Sequence, residues 1–159
     1  MPIDRSMPVL IVERRISFAR LIERMFHKAR FPNVETTCEW STALGILRRD
    51  GRKVILADLE LEAVSWLEML QEVRADEQLA SSPFIVTSES LHPREAKQLK
   101  DAGVDGVLLK PFESHALEPK LAMASKRAAR YRPLPKMNAS PLARTSELGR
   151  RWSYSARRA

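Results

Sequence analysis

The stretch VLIVERRISFARLIERMFHKARFPNVETTC, residues 9–38, carries the reading of the fold. It opens on a short apolar run at 9–13 and closes on another at 34–38, each of strand length. Between them Phe18, Leu21, Ile22, Met25 and Phe26 follow i, i+3, i+4, i+7, i+8 spacing, with Ser17 placed to cap the helix. Strand, helix, strand within so short a span is a βαβ unit, and the alternation continues outward from it. Further strands are expected at 54–58, 84–87 and 106–109. The predicted fold is therefore α/β, a doubly wound five-stranded parallel sheet with helices on both faces.

Local signals place the remaining helices. Ser41 or Thr42 can cap a second helix through Leu44 and Leu47, and Gly51 falls where a left-handed C-terminal residue is wanted. Trp66, Leu67, Leu70 and Val73 mark a third. Pro93 can open a fourth at its first turn and Gly103 can close it. A fifth should run from near Ser114 toward Arg130, beginning late or kinking at Pro119, because an interior proline removes a hydrogen bond and crowds the previous turn. The single cysteine, Cys38, reads as a small buried side chain on a strand. Trp40 and Trp66 read as packing residues, and His27, His92 and His115 as surface or helix-face residues.

Charge divides the chain. Residues 126–159 hold ten of the 27 Lys and Arg but only Glu147 of the 20 Asp and Glu, which puts that segment at +9 and the preceding residues at −2. Beyond Arg130 the text turns to Tyr131-Arg-Pro-Leu-Pro-Lys-Met-Asn-Ala-Ser-Pro141, without periodicity. The predicted organisation is one domain, residues 1–130, followed by an arginine-rich, intrinsically disordered ligand-binding tail, 131–159. Treated as a flexible coil, the 34 residues 126–159 have a reach of roughly 30 Å. No apolar stretch approaches the length needed to cross a bilayer and the N-terminus lacks the layout of a signal peptide, so the expected location is cytoplasmic.

In a doubly wound sheet the carboxyl ends of the strands gather in one crevice. Glu13 ends the first predicted strand, Asp58 the third and Thr87 the fourth, and Lys110 directly follows the fifth. Asp58 after Val-Ile-Leu-Ala, Thr87-Ser88 after Pro-Phe-Ile-Val, and Lys110-Pro111-Phe112 after Val-Leu-Leu together resemble the receiver domain of bacterial response regulators, the CheY-like family, over residues 8 to about 127. The resemblance implies that Asp58 is the phosphoacceptor for a histidine kinase, Lys110 the phosphate-pairing cation and Thr87 the hydroxyl that reports on the phosphoryl group, with magnesium assisting.

Three departures argue against that switch. The family has two adjacent acids after the first strand to hold the metal, whereas Glu13 is followed here by Arg14. Magnesium wants oxygen ligands, and unit charges about 4 Å apart at an effective dielectric near 20 interact by roughly 4 kcal/mol, so Arg14 opposes a divalent ion. Glu13 and Asp58 are the residual candidate ligands, and Arg14 is placed either to pair with Asp58 or to face solvent. The family's Met-Pro and later Gly after the acceptor give way to Leu61-Glu62-Ala63-Val64-Ser65-Trp66, and its aromatic switch position is occupied by Val107.

The tail offers other chemistry. Arginine forks two hydrogen bonds onto a guanine edge, lies flat on a base or pairs with phosphate, and aromatic rings stack on bases. Arg144-Thr-Ser-Glu147 is similar to the short Arg-x-x-Asp motif of cyclic di-GMP-binding proteins, and Arg150, Arg151, Trp152, Tyr154, Arg157 and Arg158 add cations and stacking faces. A receiver body with a lost metal acid and such an extension resembles the Cle family of CheY-like cyclic di-GMP effectors. That resemblance implies a non-enzymatic adaptor whose tail binds cyclic di-GMP and whose body docks at the flagellar motor switch, at the flagellated cell pole, to tune motility and surface attachment. The residues alone show an anion-seeking, base-compatible tail. Its alternative partner is nucleic acid or another polyanion, and the alternative function is a conventional regulator phosphorylated on Asp58. Membrane insertion is not expected.

Overall fold

The computed structural model describes residues 3–130. Five strands and five helices alternate along them: β1 (Val9–Val12), α1 (Ile16–Lys28), β2 (Val34–Thr37), α2 (Trp40–Asp50), β3 (Val54–Asp58), α3 (Trp66–Ala75), β4 (Phe84–Ser88), α4 (Pro93–Ala102), β5 (Gly106–Leu109) and α5 (Ser114–Ala128). The strands form one sheet in the order β2-β1-β3-β4-β5, every pairing parallel. This is the doubly wound, flavodoxin-like architecture predicted from the alternation. The winding reverses between β1 and β3, and at such a switch the following loops part to leave a crevice. The tail assigned to 131–159 lies outside the described residues, and with it Arg144, Glu147, Arg150, Arg151, Trp152, Tyr154, Arg157 and Arg158.

Side chains alternate across the sheet, and the two faces carry separate cores. Leu10, Val12, Ile55, Ala57, Phe84 and Val86 face α2, α3 and α4, packing with Leu44, Leu47, Leu70 and Leu99. Val9, Ile11, Val54, Leu56, Ile85 and Leu108 face α1 and α5, packing with Ile22, Phe26, Leu117 and Leu121. Glu13, Asp58, Thr87 and Lys110 share the parity of this second set. They extend the α1/α5 face past its apolar part, on four strands that are neighbours in space.

Several local expectations need correction. Ser17 does not cap α1. The cap position is Arg15, which makes no side-chain cap bond, and its N–H instead donates to Glu13 Oε1 at 3.0 Å. Glu39 precedes α2, so Ser41 and Thr42 lie inside its first turn. Cys38 is exposed and falls just beyond β2, an edge strand that stops at Thr37 and is nowhere fully buried. Pro119 lies within a single helix that starts at Ser114, so α5 does not begin late. Other expectations hold. Pro93 opens α4, and Gly103 closes it in the left-handed region at φ 94°, whereas Gly51 ends α2 at φ 86° and ψ −158°, a positive φ outside the left-handed helical conformation. Trp40 is buried and Trp66 packs against the same core, while the three histidines are exposed.

At the opposite pole, where β4 and β5 begin, a buried ion pair ties the sheet to its helices. Arg74 from the end of α3 donates to Asp105 Oδ2 at 2.6 Å and to the carbonyls of Ala80 and Ser82 at 2.7 Å. The same Asp105 oxygen accepts the Phe84 N–H at 2.8 Å. Arg127, near the end of α5, donates to the Asp105 carbonyl at 3.1 Å. Burial pushes the Asp105 carboxyl above its usual value, opposed by the Phe84 N–H and the Arg74 charge.

Candidate functional site

The parallel register brings the four predicted side chains to one crevice. Asp58 and Thr87 are cross-strand partners at the ends of β3 and β4, and the Leu59 N–H donates to the Thr87 carbonyl at 2.8 Å just beyond them. The Lys110 N–H donates to the Ser88 carbonyl at 2.7 Å, which carries β5 one residue past its last ladder pair and sets the lysine over the crevice. Glu13, Asp58, Thr87 and Lys110 are all buried, at 2, 2, 2 and 9% exposure. Buried charges survive only when paired, and here they pair with one another. Lys110 Nζ lies 2.6 Å from Glu13 Oε2 and 3.4 Å from Asp58 Oδ1. The ammonium thus spans both carboxylates. Asp58 Oδ1 also accepts the Glu60 N–H at 3.1 Å, which fixes the turn after β3.

Of the two placements open to Arg14, pairing with Asp58 is not the one adopted. Its guanidinium donates to Glu62 Oε1 at 2.7 Å, on the loop after β3, and both partners are solvent-exposed. An exposed pair needs no desolvation, whereas reaching Asp58 would bury a second cation beside Lys110. Arg15, which the sequence reading passed over, points the other way. It pairs with Glu89 on the loop after β4 and lies 3.7 Å from Glu13 Oε1. The Glu89 hydrogen bond holds its guanidinium above the usual range, with further help from the charges of Glu89, Glu13 and Asp58.

Phe18 is the second residue the sequence reading did not assign to the site. Its spacing marks it as part of the apolar face of α1, and it does pack there, edge-on to Phe112 with centroids 6.1 Å apart. Its ring also lies 4.8 Å from Lys110 Nζ and 5.8 Å from the Arg15 guanidinium carbon, so it supports both cations through its face. Val107 is half-buried and packs with the α4 side of the core, as do Leu61 and Val64 of the loop after the acceptor position.

The donor set does not suit magnesium. Glu13 and Asp58 each commit an oxygen to Lys110, and Arg14 stands where a further oxygen ligand would have to come from. Among the described residues no group of three or more His, Cys, Asp or Glu is arranged to hold a metal ion. What the pocket retains is a buried carboxylate, Asp58, with Thr87 opposite it on the neighbouring strand and the Lys110 ammonium bridging to it. No helix among the described residues is long and apolar enough to cross a membrane.

Comparison with known proteins agrees with this geometry. Residues 9–122 match the response regulator receiver domain. Chemotaxis protein CheY-3 of Vibrio cholerae is 24% identical over 119 residues, spanning 75% of this chain and 92% of that protein. Chemotaxis protein CheY of Pseudomonas aeruginosa is 26% identical over 115 residues, spanning 72% and 93%. Among solved structures, the chemotaxis response regulator CheY4 of Vibrio cholerae superposes with TM-score 0.64 at 24% identity, over 77% of this chain and 98% of that one. A receiver domain of a Pseudomonas aeruginosa sensor histidine kinase, solved with a magnesium ion coordinated in its active-site cleft, superposes with TM-score 0.67 at 22% identity, over 76% and 98%. With the strand order, the buried aspartate and the lysine-proline step after β5 all in place, the chain belongs to the response regulator receiver domain family.

Proposed function

We propose that this receiver protein is a non-enzymatic signalling adaptor that binds cyclic di-GMP through its arginine-rich C-terminal segment and docks its body at the flagellar motor switch, tuning motility and surface attachment. The observation that carries this reading is the contrast between the two parts of the chain. The receiver pocket has Arg14 in place of a metal acid, and its two carboxylates are already bridged by Lys110. The segment containing Arg144, Glu147, Arg150, Arg151, Trp152, Tyr154, Arg157 and Arg158 concentrates the guanidinium and aromatic groups that two guanines and two phosphates require. The names of the curated relatives, chemotaxis proteins in both cases, favour a partner in motility. Coupling between ligand and partner requires cyclic di-GMP to bind the partner-competent form more tightly than the free form.

Calorimetric titration of cyclic di-GMP into the full-length protein and into a version ending at Tyr131 tests the reading, with GTP and an RNA oligomer as controls at physiological salt. The expected result is selective binding that disappears with the segment. Equal, salt-sensitive binding of RNA would replace the dinucleotide by a polyanion. The retained Asp58, Thr87 and Lys110 favour a second reading, a single-domain regulator phosphorylated on Asp58 by a histidine kinase, and phosphoryl transfer abolished by Asp58→Asn is its test.

A further inference from the structure

We infer that Arg15 is a built-in second cation of the receiver pocket, acting with Lys110 to offset the charge of Glu13 and Asp58 where a divalent ion would otherwise sit. Two buried carboxylates facing one ammonium leave an excess negative charge in a place that water cannot screen. A guanidinium reaches it from the solvent side. Arg15 Nε lies 3.7 Å from Glu13 Oε1, and the Arg15 N–H donates to the same oxygen at 3.0 Å. Its terminal nitrogen is anchored by Glu89, and its guanidinium carbon lies over the Phe18 ring. Side chain and main chain of one residue therefore converge on one carboxylate. Arg14 cannot take this role, because it is drawn off to Glu62. The Arg15–Glu89 pair also joins the loop after β1 to the loop after β4. A divalent ion entering here would meet Lys110 bridging the two carboxylates and Arg15 beside Glu13.

The inference goes beyond the proposed function and is independent of whatever the C-terminal segment binds. Its test uses Mn2+ as probe, with free ion followed by electron paramagnetic resonance in full-length protein. The wild type should bind no Mn2+ in this pocket at millimolar concentrations. Arg14→Asp, which supplies a further carboxylate but leaves Arg15 in place, should bind weakly. Arg14→Asp/Arg15→Ala should bind about tenfold tighter or more than Arg14→Asp alone, since a cation beside a dication at this range outweighs a factor of ten. Arg15→Lys in the Arg14→Asp background should restore weak binding, which separates loss of charge from loss of fold. Binding by the wild type, equal affinity with and without Arg15, or no binding by the double variant would each overturn the assignment.

Discussion

Replacing Lys110 by Met removes the ammonium and keeps the apolar stem, so it isolates the charge that holds the pocket together. In the native pocket Nζ sits 2.6 Å from Glu13 Oε2 and 3.4 Å from Asp58 Oδ1, with all three side chains at 4% exposure or less. Opposite charges about 4 Å apart at an effective dielectric near 20 attract by about 4 kcal/mol, and Lys110 makes two such contacts. Against this, the substitution relieves the desolvation of the ammonium itself. The net cost should fall in the range of roughly 3–5 kcal/mol found when one partner of a buried pair is deleted and the rest stays buried. That is a large part of the roughly 5–15 kcal/mol that holds a domain together. Urea unfolding at neutral pH, followed through the fluorescence of buried Trp40 and half-buried Trp66, measures it. Glu13→Gln in the Lys110→Met background should recover part of the loss, because it removes one of the two carboxylates left facing each other. A cost for Lys110→Met below about 1 kcal/mol, or a double variant whose cost is the simple sum of the singles, would refute the reasoning.

Two further outcomes follow from the opposite pole of the sheet and from α4. Asp105 has a folded value above the ordinary 3.8 because it is buried, so its proton contributes stability that is fully present below 3.8 and is lost as pH rises through the folded value. Unfolding measured across that window should show a falling stability component that Asp105→Asn lacks, and an unchanged pH profile in the variant would contradict the assignment. Gly103→Ala should cost about 1–2 kcal/mol, since the residue sits at φ 94° with open space around a would-be side chain, leaving backbone strain as the whole penalty. Thermal unfolding checks it, with Gly45→Ala as a comparison that should not destabilise, because Gly45 is helical and equally uncrowded.

The parts of this molecule that were legible in the sequence are those set by repeating local patterns. The alternation of buried strands with amphipathic helices specified the sheet, and the gathering of strand carboxyl ends put Glu13, Asp58, Thr87 and Lys110 at one crevice before any contact was known. Pro93 and Gly103 marked α4 because each tolerates a backbone position that other residues resist. The misplaced residues depend on distant partners. Arg14 and Arg15 are adjacent and chemically alike, and only the positions of Glu62 and Glu89 on two other loops send them apart. Phe18 obeys the helix period and so reads as ordinary core, although its ring faces two cations. Ser17 looked like a cap because serine commonly is one, whereas the carboxylate of Glu13 already receives the first free N–H. Cys38 reads as a strand residue because nothing local announces that an edge strand stops one position earlier. Arg74 and Asp105 were invisible for the same reason, since charged residues far apart in sequence read as surface until the fold buries them together.

The direction of α5 has a consequence for how such a protein changes over evolutionary time. The helix leaves the acidic crevice at Ser114 and ends beside Asp105, where Arg127 is tied down, so its C-terminal end sits at the pole of the sheet opposite Asp58 and Lys110. Substitutions at the C-terminal end of α5 therefore leave the contacts of Asp58 and Lys110 in place, and the two poles can vary independently. The pocket in turn can vary in its acids without loosening the Arg127 tie at the other pole.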